Sequence, residues 1–152
     1  MVVHVAHDRP ENAGVLDYLG RSRGLEDLPV GQSPDDVDRR HLGTHPRIVE
    51  RLWDALDAAL PASGRCVIFG GPALVQPVSG VVLAVGIGTQ YALRLLPGDL
   101  DQAIAEGSEV VHTFQTSGGT LDLRERLGPD WVFGRFDERE ATWLAATYEA
   151  SG

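Results

Sequence analysis

The stretch 65–96, RCVIFGGPALVQPVSGVVLAVGIGTQYALRLL, constrains this chain more than any other, because its apolar residues come in short blocks cut by strong turn signals. Gly70-Gly71-Pro72, Pro77-Val78-Ser79-Gly80 and Gly88-Thr89-Gln90 supply residue types that reach positive φ or preset a turn. Between them lie candidate strands at 66–69, 73–76, 81–87 and 91–96. Connections this short cannot make parallel crossovers, so the segment predicts an antiparallel meander. In the third strand Val81, Leu83, Val85 and Ile87 alternate with Val82, Ala84, Gly86 and Gly88, giving one bulky face and one small-residue face that a neighbour can cover closely. In the fourth, Tyr91, Leu93 and Leu95 alternate with Ala92, Arg94 and Leu96, which carries Arg94 to the less buried face.

Helices are expected on either side of this sheet. Over 44–60, Ile48, Leu52, Leu56 and Leu60 form an apolar stripe with Val49 and Trp53 at its edge, Thr44 as cap, Pro46 in the first turn and Pro61 as stop. After Pro97 and Gly98 a short helix is expected at 99–106, with Gly107 ending it. A strand at 109–115 would place Val110, His112 and Phe114 on one face, a turn follows at 116–120, 121–127 reads as a strand or a helical turn, and 131–136 as a further strand. The last helix, 137–150, opens with Asp137 and Glu140 at capping-box spacing and turns Ala141, Leu144, Ala145 and Tyr148 inward, with Trp143 flanking. The fold class is therefore α+β: an antiparallel sheet of five to six short strands packed by helices 44–60 and 137–150, plus the short helix 99–106.

Residues 1–43 read differently, as an N-terminal arm rich in Asp, Arg, Gly and Pro with at most one short helix near 12–19, Asn12 being its cap, ahead of a single α+β domain at 44–152. Val15, Leu16, Leu19, Leu25, Leu28 and Val30 are too many apolar residues for a solvated tail. The arm is expected to be ordered by contact, docking on its own domain, on a protein partner, or on a second copy as an exchanged segment.

With 13 basic residues, all Arg, against 22 acidic ones, the net charge is −9. That weighs against a nucleic-acid surface, because Arg39, Arg40, Arg47 and Arg51 stand beside Asp35, Asp36 and Asp38. The opening MVVHVAHDRP lacks the basic region and long apolar run of a signal peptide, and no run reaches membrane-spanning length. A lone Cys66 in an apolar strand implies no disulfide framework and fits a reducing cytoplasm.

The order of elements, with IFGG at 68–71, GVVLAV at 80–85, YALRLLP at 91–97, Ala105-Glu106-Gly107, Phe114 and the Trp131-Val132 of WVFGRF, resembles the TfoX N-terminal and YjbR-like family of small α+β domains over about 44–150. Where that family has an aromatic and charged strand before the hairpin, this chain has PALVQPVSG. A looser similarity, around YALRLLP, His112, WVF and WLAATY, is to a domain family labelled luciferase-like. Neither resemblance brings a catalytic residue to a position here. The first implies a non-enzymatic regulatory or protein-interaction module.

Candidate chemistry is sparse. Gly20-Arg21-Ser22-Arg23-Gly24 matches a nucleophile-elbow pattern, but no core strand precedes Ser22 and no apolar helix follows it. His41 and His45 have metal-ligand spacing on a helix, yet Gly43 and Pro46 interrupt that face; His4 and His7 sit near the terminus, and no metal is assigned. Gly86-Ile87-Gly88 and Gly118-Gly119 lack the full spacing of a phosphate loop, and no cofactor is assigned. His112 is either a hydrogen-bonded core residue or, with Arg94, Tyr91, Trp131 and Arg135, part of a small-ligand concavity on the sheet. The second option is the alternative function: a small-molecule-binding domain or a small enzyme.

Overall fold

In the computed structural model, which describes residues 3–115 and 117–152, eight strands carry the fold. They are β1 (Val30–Gln32), β2 (Arg65–Ile68), β3 (Gly71–Val75), β4 (Val82–Ile87), β5 (Gln90–Arg94), β6 (Val111–Thr113), β7 (Thr120–Asp122) and β8 (Trp131–Phe133). Six of them form one antiparallel sheet in the order β1-β2-β3-β4-β5-β8, and β6 and β7 pair with each other. The meander of 65–96 is the middle of that sheet. Its first turn falls on Phe69-Gly70 rather than on Gly70-Gly71-Pro72, since Ile68 pairs with Gly71. Phe69 takes φ 48° there, a conformation that a bulky side chain adopts only where packing holds it, and its ring lies against Gly20.

Three departures from the expected sheet matter. The strand expected at 109–115 shortens to β6 and leaves the main sheet for a hairpin, while the outer place beside β2 goes to β1 from the first 43 residues. The turn expected at 116–120 begins on Thr116, outside the described residues. The simple alternation in β4 fails as well: Ala84 pairs with Leu74 but Val82 with Val75, so Leu83 is an extra residue. Leu83 and Ala84 consequently join one core cluster, and Val82, Val85 and Ile87 the other. Gly86 does sit where cover is close, with room for no Cβ against Pro72, Thr44 and Ile48.

The helices are α1 (Pro10–Asp17), α2 (Pro46–Glu50), α3 (Pro97–Ala105), α4 (Leu123–Arg126) and α5 (Arg139–Ser151). The helix expected at 44–60 begins as α2, then winds as a π-helical stretch Arg51–Leu56 and a 3-10 turn Asp57–Ala59. Wider winding brings Trp53 from the edge onto the buried face beside Leu52 and Leu56, where its indole N–H donates to the Ala73 carbonyl at 3.1 Å. The cap is His45, whose Nδ1 accepts from the Arg47 amide, rather than Thr44. The helix expected at 99–106 spans α3, and the one expected at 137–150 is α5.

Two cores result, one on each side of the sheet. The π-helical stretch, α3 and α5 cover one side with Leu52, Trp53, Leu56, Ala103, Trp143 and Leu144. The other side is closed by the first 43 residues together with α4 and the hairpin, through Val5, Val15, Leu19, Leu121, Leu123 and Leu127. The N-terminal residues thus dock on their own chain. Asn12 is not a cap but a buried stitch inside α1: its Nδ2 donates to the Ala6 and Gly80 carbonyls and its Oδ1 accepts from the Val82 amide. Each bond satisfies a backbone group that water does not reach. No helix among the described residues is long and apolar enough to cross a membrane.

Candidate functional site

The five side chains singled out in the sequence occupy three separate places. Arg94 is buried, 6% exposed, instead of lying on an open face. Its Nε donates to the Val82 carbonyl at 2.8 Å and its Nη2 to the Glu11 carbonyl at 2.6 Å, while the guanidinium stands 4.8 Å over the Trp131 ring. Burial lowers its pKa, against the opposing charges of Asp130 and Glu11. Arg94 and Trp131 together clamp α1 to the sheet; the outer edge of Arg94 borders a recess of about 210 Å³ shared with Arg9, Glu11 and Asp130.

Tyr91 and Arg135 meet through Glu140, which the capping-box spacing had assigned to the backbone of its own helix. Glu140 is 2% exposed. Its Oε1 accepts from the Tyr91 hydroxyl at 2.5 Å and from Arg51 Nη2 at 3.0 Å, and its Oε2 from the Arg135 amide at 2.9 Å. Burial, then the Glu140 carboxylate, push the Tyr91 hydroxyl well above its ordinary pKa. Burial alone would lower Arg51; hydrogen bonds to Glu140 and Tyr91 outweigh it, and the net shift is upward. Around this centre Asp137 accepts from Arg135 and Arg139, and Arg139 also binds Glu106. Phe136, at φ 60°, is held by its amide donating to the Tyr91 hydroxyl, and Arg47 lies 4.4 Å over its ring. Arg47, Glu50, Arg51, Asp54, Ala55 and Phe136 border a shallow cavity of about 520 Å³.

His112 stands apart from both. It lines a cavity of about 580 Å³ whose walls come from three segments: Tyr18 and Arg23 from the chain after α1, Ile87 to Gln90 from the β4–β5 turn, and His112 to Gln115 with Ser117 from the hairpin. Gly88, at φ 61°, fills the first position of the two-residue turn. His112 Nδ1 lies 3.3 Å from Glu109 Oε2, and its ring packs edge-on against Phe114 at 4.8 Å and tilted over Phe133 at 5.6 Å. The imidazole is therefore oriented by one carboxylate and two rings. Thr113 Oγ1 is 2.9 Å from Thr120 Oγ1 across the hairpin, whereas the side chains of Arg23, Thr89 and Gln90 make no hydrogen bond among the described residues. An apolar floor of Ile87 and Phe114 with unengaged polar groups around it can seat a small molecule.

The remaining motifs take structural places. Ser22 is exposed on a π-helical turn (Tyr18–Ser22), where Arg126 donates to its hydroxyl. Gly20 admits the Phe69 ring and Gly24, at φ 71°, turns the chain, which accounts for both glycines of the elbow-like pattern. His45 caps α2 and exposed His41 faces Asp38 at 3.9 Å. No group of three His, Cys, Asp or Glu side chains among the described residues could hold a metal ion. Burial pushes the Cys66 thiol far above its ordinary pKa.

Sequence reasoning missed Arg23, Tyr18, Thr89 and Gln90 as wall residues and Glu140 as the hub of a buried network. Arg23 carried no signal beyond a discarded motif. A carboxylate one helical turn before Trp143 and Leu144, on the inward side of α5, was the available hint for Glu140. No protein-family model, no curated protein and no solved structure matches this chain.

Proposed function

We propose that this chain is a non-enzymatic regulatory domain of the kind its TfoX N-terminal and YjbR-like resemblance implies, and that it works by holding a small molecule in the His112 cavity. One observation carries the reading: a concavity of about 580 Å³ with an apolar floor and several polar side chains that have no partner among the described residues. Small-molecule sites run roughly 300–1,000 Å³. Binding alone is proposed, because His112 is engaged by Glu109 and two rings rather than by a nucleophile. Specific binding to duplex DNA is not expected from a chain of net charge −9.

A thermal-shift screen of metabolites tests this. A bound compound should raise the melting temperature, and Phe114→Ala or His112→Ala should abolish the rise. Hits that survive both substitutions, or that are lost in Arg94→Ala alone, would move the site elsewhere. A second reading, protein docking, is favoured by Phe136, an aromatic side chain 40% exposed beside Arg47 and held at positive φ.

A further inference from the structure

We infer that the molecule taken by the His112 cavity is an organic anion carrying an aromatic ring, its acidic group met by Arg23 and its ring by Phe114 and Tyr18. The inference rests on the reading of that cavity as the ligand site. Its first support is charge. The chain has 22 acidic residues against 13 arginines, yet no Asp or Glu is among the described residues that line the cavity. Glu109 approaches the lining residue His112 at 3.3 Å without lining the cavity itself, and a lining free of carboxylates in so acidic a molecule keeps one region of its surface open to anions.

Arg23 is the second support. Guanidiniums elsewhere are engaged: Arg9 with Glu11, Arg39 with Asp54, Arg40 with Asp38, Arg51 with Glu140 and Arg139 with Asp137, and even Arg47 stacks on Phe136. Arg23 alone has a guanidinium with no ion pair, hydrogen bond or ring contact among the described residues, and it faces the cavity. Its planar fork of donors matches the two oxygens of a carboxylate. Arg126, 5.3 Å over the Tyr18 ring, adds positive charge behind the same wall.

The ring requirement follows from the floor. Phe114, standing edge-on to His112, and Tyr18 present aromatic surface, and Ile87 presents aliphatic surface, so a flat apolar body gains area that a compact polar acid does not. Gln90 and Thr89 remain at the rim for the ligand's other polar groups.

The test compares a matched pair, 1-naphthaleneacetate and its neutral amide 1-naphthaleneacetamide, by calorimetric titration into the full chain. The wild-type protein should bind the acid roughly tenfold or more tightly than the amide, as a charge-assisted contact requires. Arg23→Gln, exposed and neutral to folding, should erase that preference by weakening the acid alone; Arg47→Gln in the other cavity should leave it intact; Phe114→Ala should weaken both probes. Equal affinity for acid and amide, with both still lost in Phe114→Ala, overturns the anion inference and leaves the cavity reading standing. A preference that survives in Arg23→Gln also overturns it. Failure of both probes to bind at millimolar concentration removes the cavity reading and the inference together.

Discussion

The polar groups that meet at Glu140 are paired with one another, whereas around His112 several have no partner among the described residues. The Glu140 carboxylate receives Tyr91, Arg51 and the Arg135 amide, and Asp137, Arg139 and Glu106 close a charged ring outside it. Near His112 the side chains of Arg23, Thr89 and Gln90 reach a concave surface and bond to nothing described. Both regions combine aromatic rings, arginines and a carboxylate. Saturation separates them: a buried network with unpaired members would cost several kcal/mol, so the first must be complete, while an open cavity leaves its donors to water until a ligand displaces it.

The largest effect should come from deleting residues 1–43. That removes β1, α1 and the cavity wall formed by Tyr18 and Arg23, and strips the cover from Val82, Val85 and Phe133 on one sheet face. A cooperative melting transition should be lost, and calorimetry checks it. Truncated protein melting as the full chain does would show that the second core contributes nothing.

Glu140→Ala comes next. It leaves the Arg51 charge, the Tyr91 hydroxyl and the Arg135 amide without their acceptor, and removing one partner of a buried pair costs about 3–5 kcal/mol. Urea unfolding should report that loss with ligand affinity in the His112 cavity unchanged. Arg94→Ala should be milder, about 2 kcal/mol, since it frees two backbone carbonyls and uncovers Trp131. It too should spare ligand binding, which separates a clamp from a binding residue.

The smallest effect is in pH. Hydrogen bonds from Arg139, side chain and backbone, hold Asp137 well below its ordinary pKa of 3.8. A carboxylate lowered by folding adds stability that is fully present above 3.8 and is lost as pH falls through the folded value. Acid melting curves should therefore show a modest decline below pH 3.8 that Arg139→Ala makes smaller, because the folded pKa of Asp137 then moves back toward its unfolded value.

Sequence patterning made the centre of the fold legible and left its margins obscure, for physical reasons that differ from place to place. Short apolar blocks with glycine turns specify a meander, and a capped stripe specifies a helix, because each signal is local. The strand β1 carries no such signal: Val30-Gly31-Gln32 pairs with β2 only because a long-range contact places it there. The β4 bulge is equally silent, since inserting Leu83 leaves every residue apolar. At the candidate site His112 was visible as a lone titratable group on a strand. Its companions were not, because Tyr18, Arg23 and Gln90 come from segments far apart in the chain and meet only after the second core has formed. Arg94 was visible for the wrong reason, as an arginine in an apolar strand whose hydrogen bonds turn out to be backbone clamps.

Mapping amide chemical-shift changes in the full chain on adding an aromatic acid tests the central claim most directly. The account predicts changes gathered at Tyr18, Arg23, Gly88 to Gln90, His112 to Gln115 and Ser117, with Arg47, Phe136 and Arg135 unmoved. Changes centred on Arg47 and Phe136, or scattered over the surface, would contradict it.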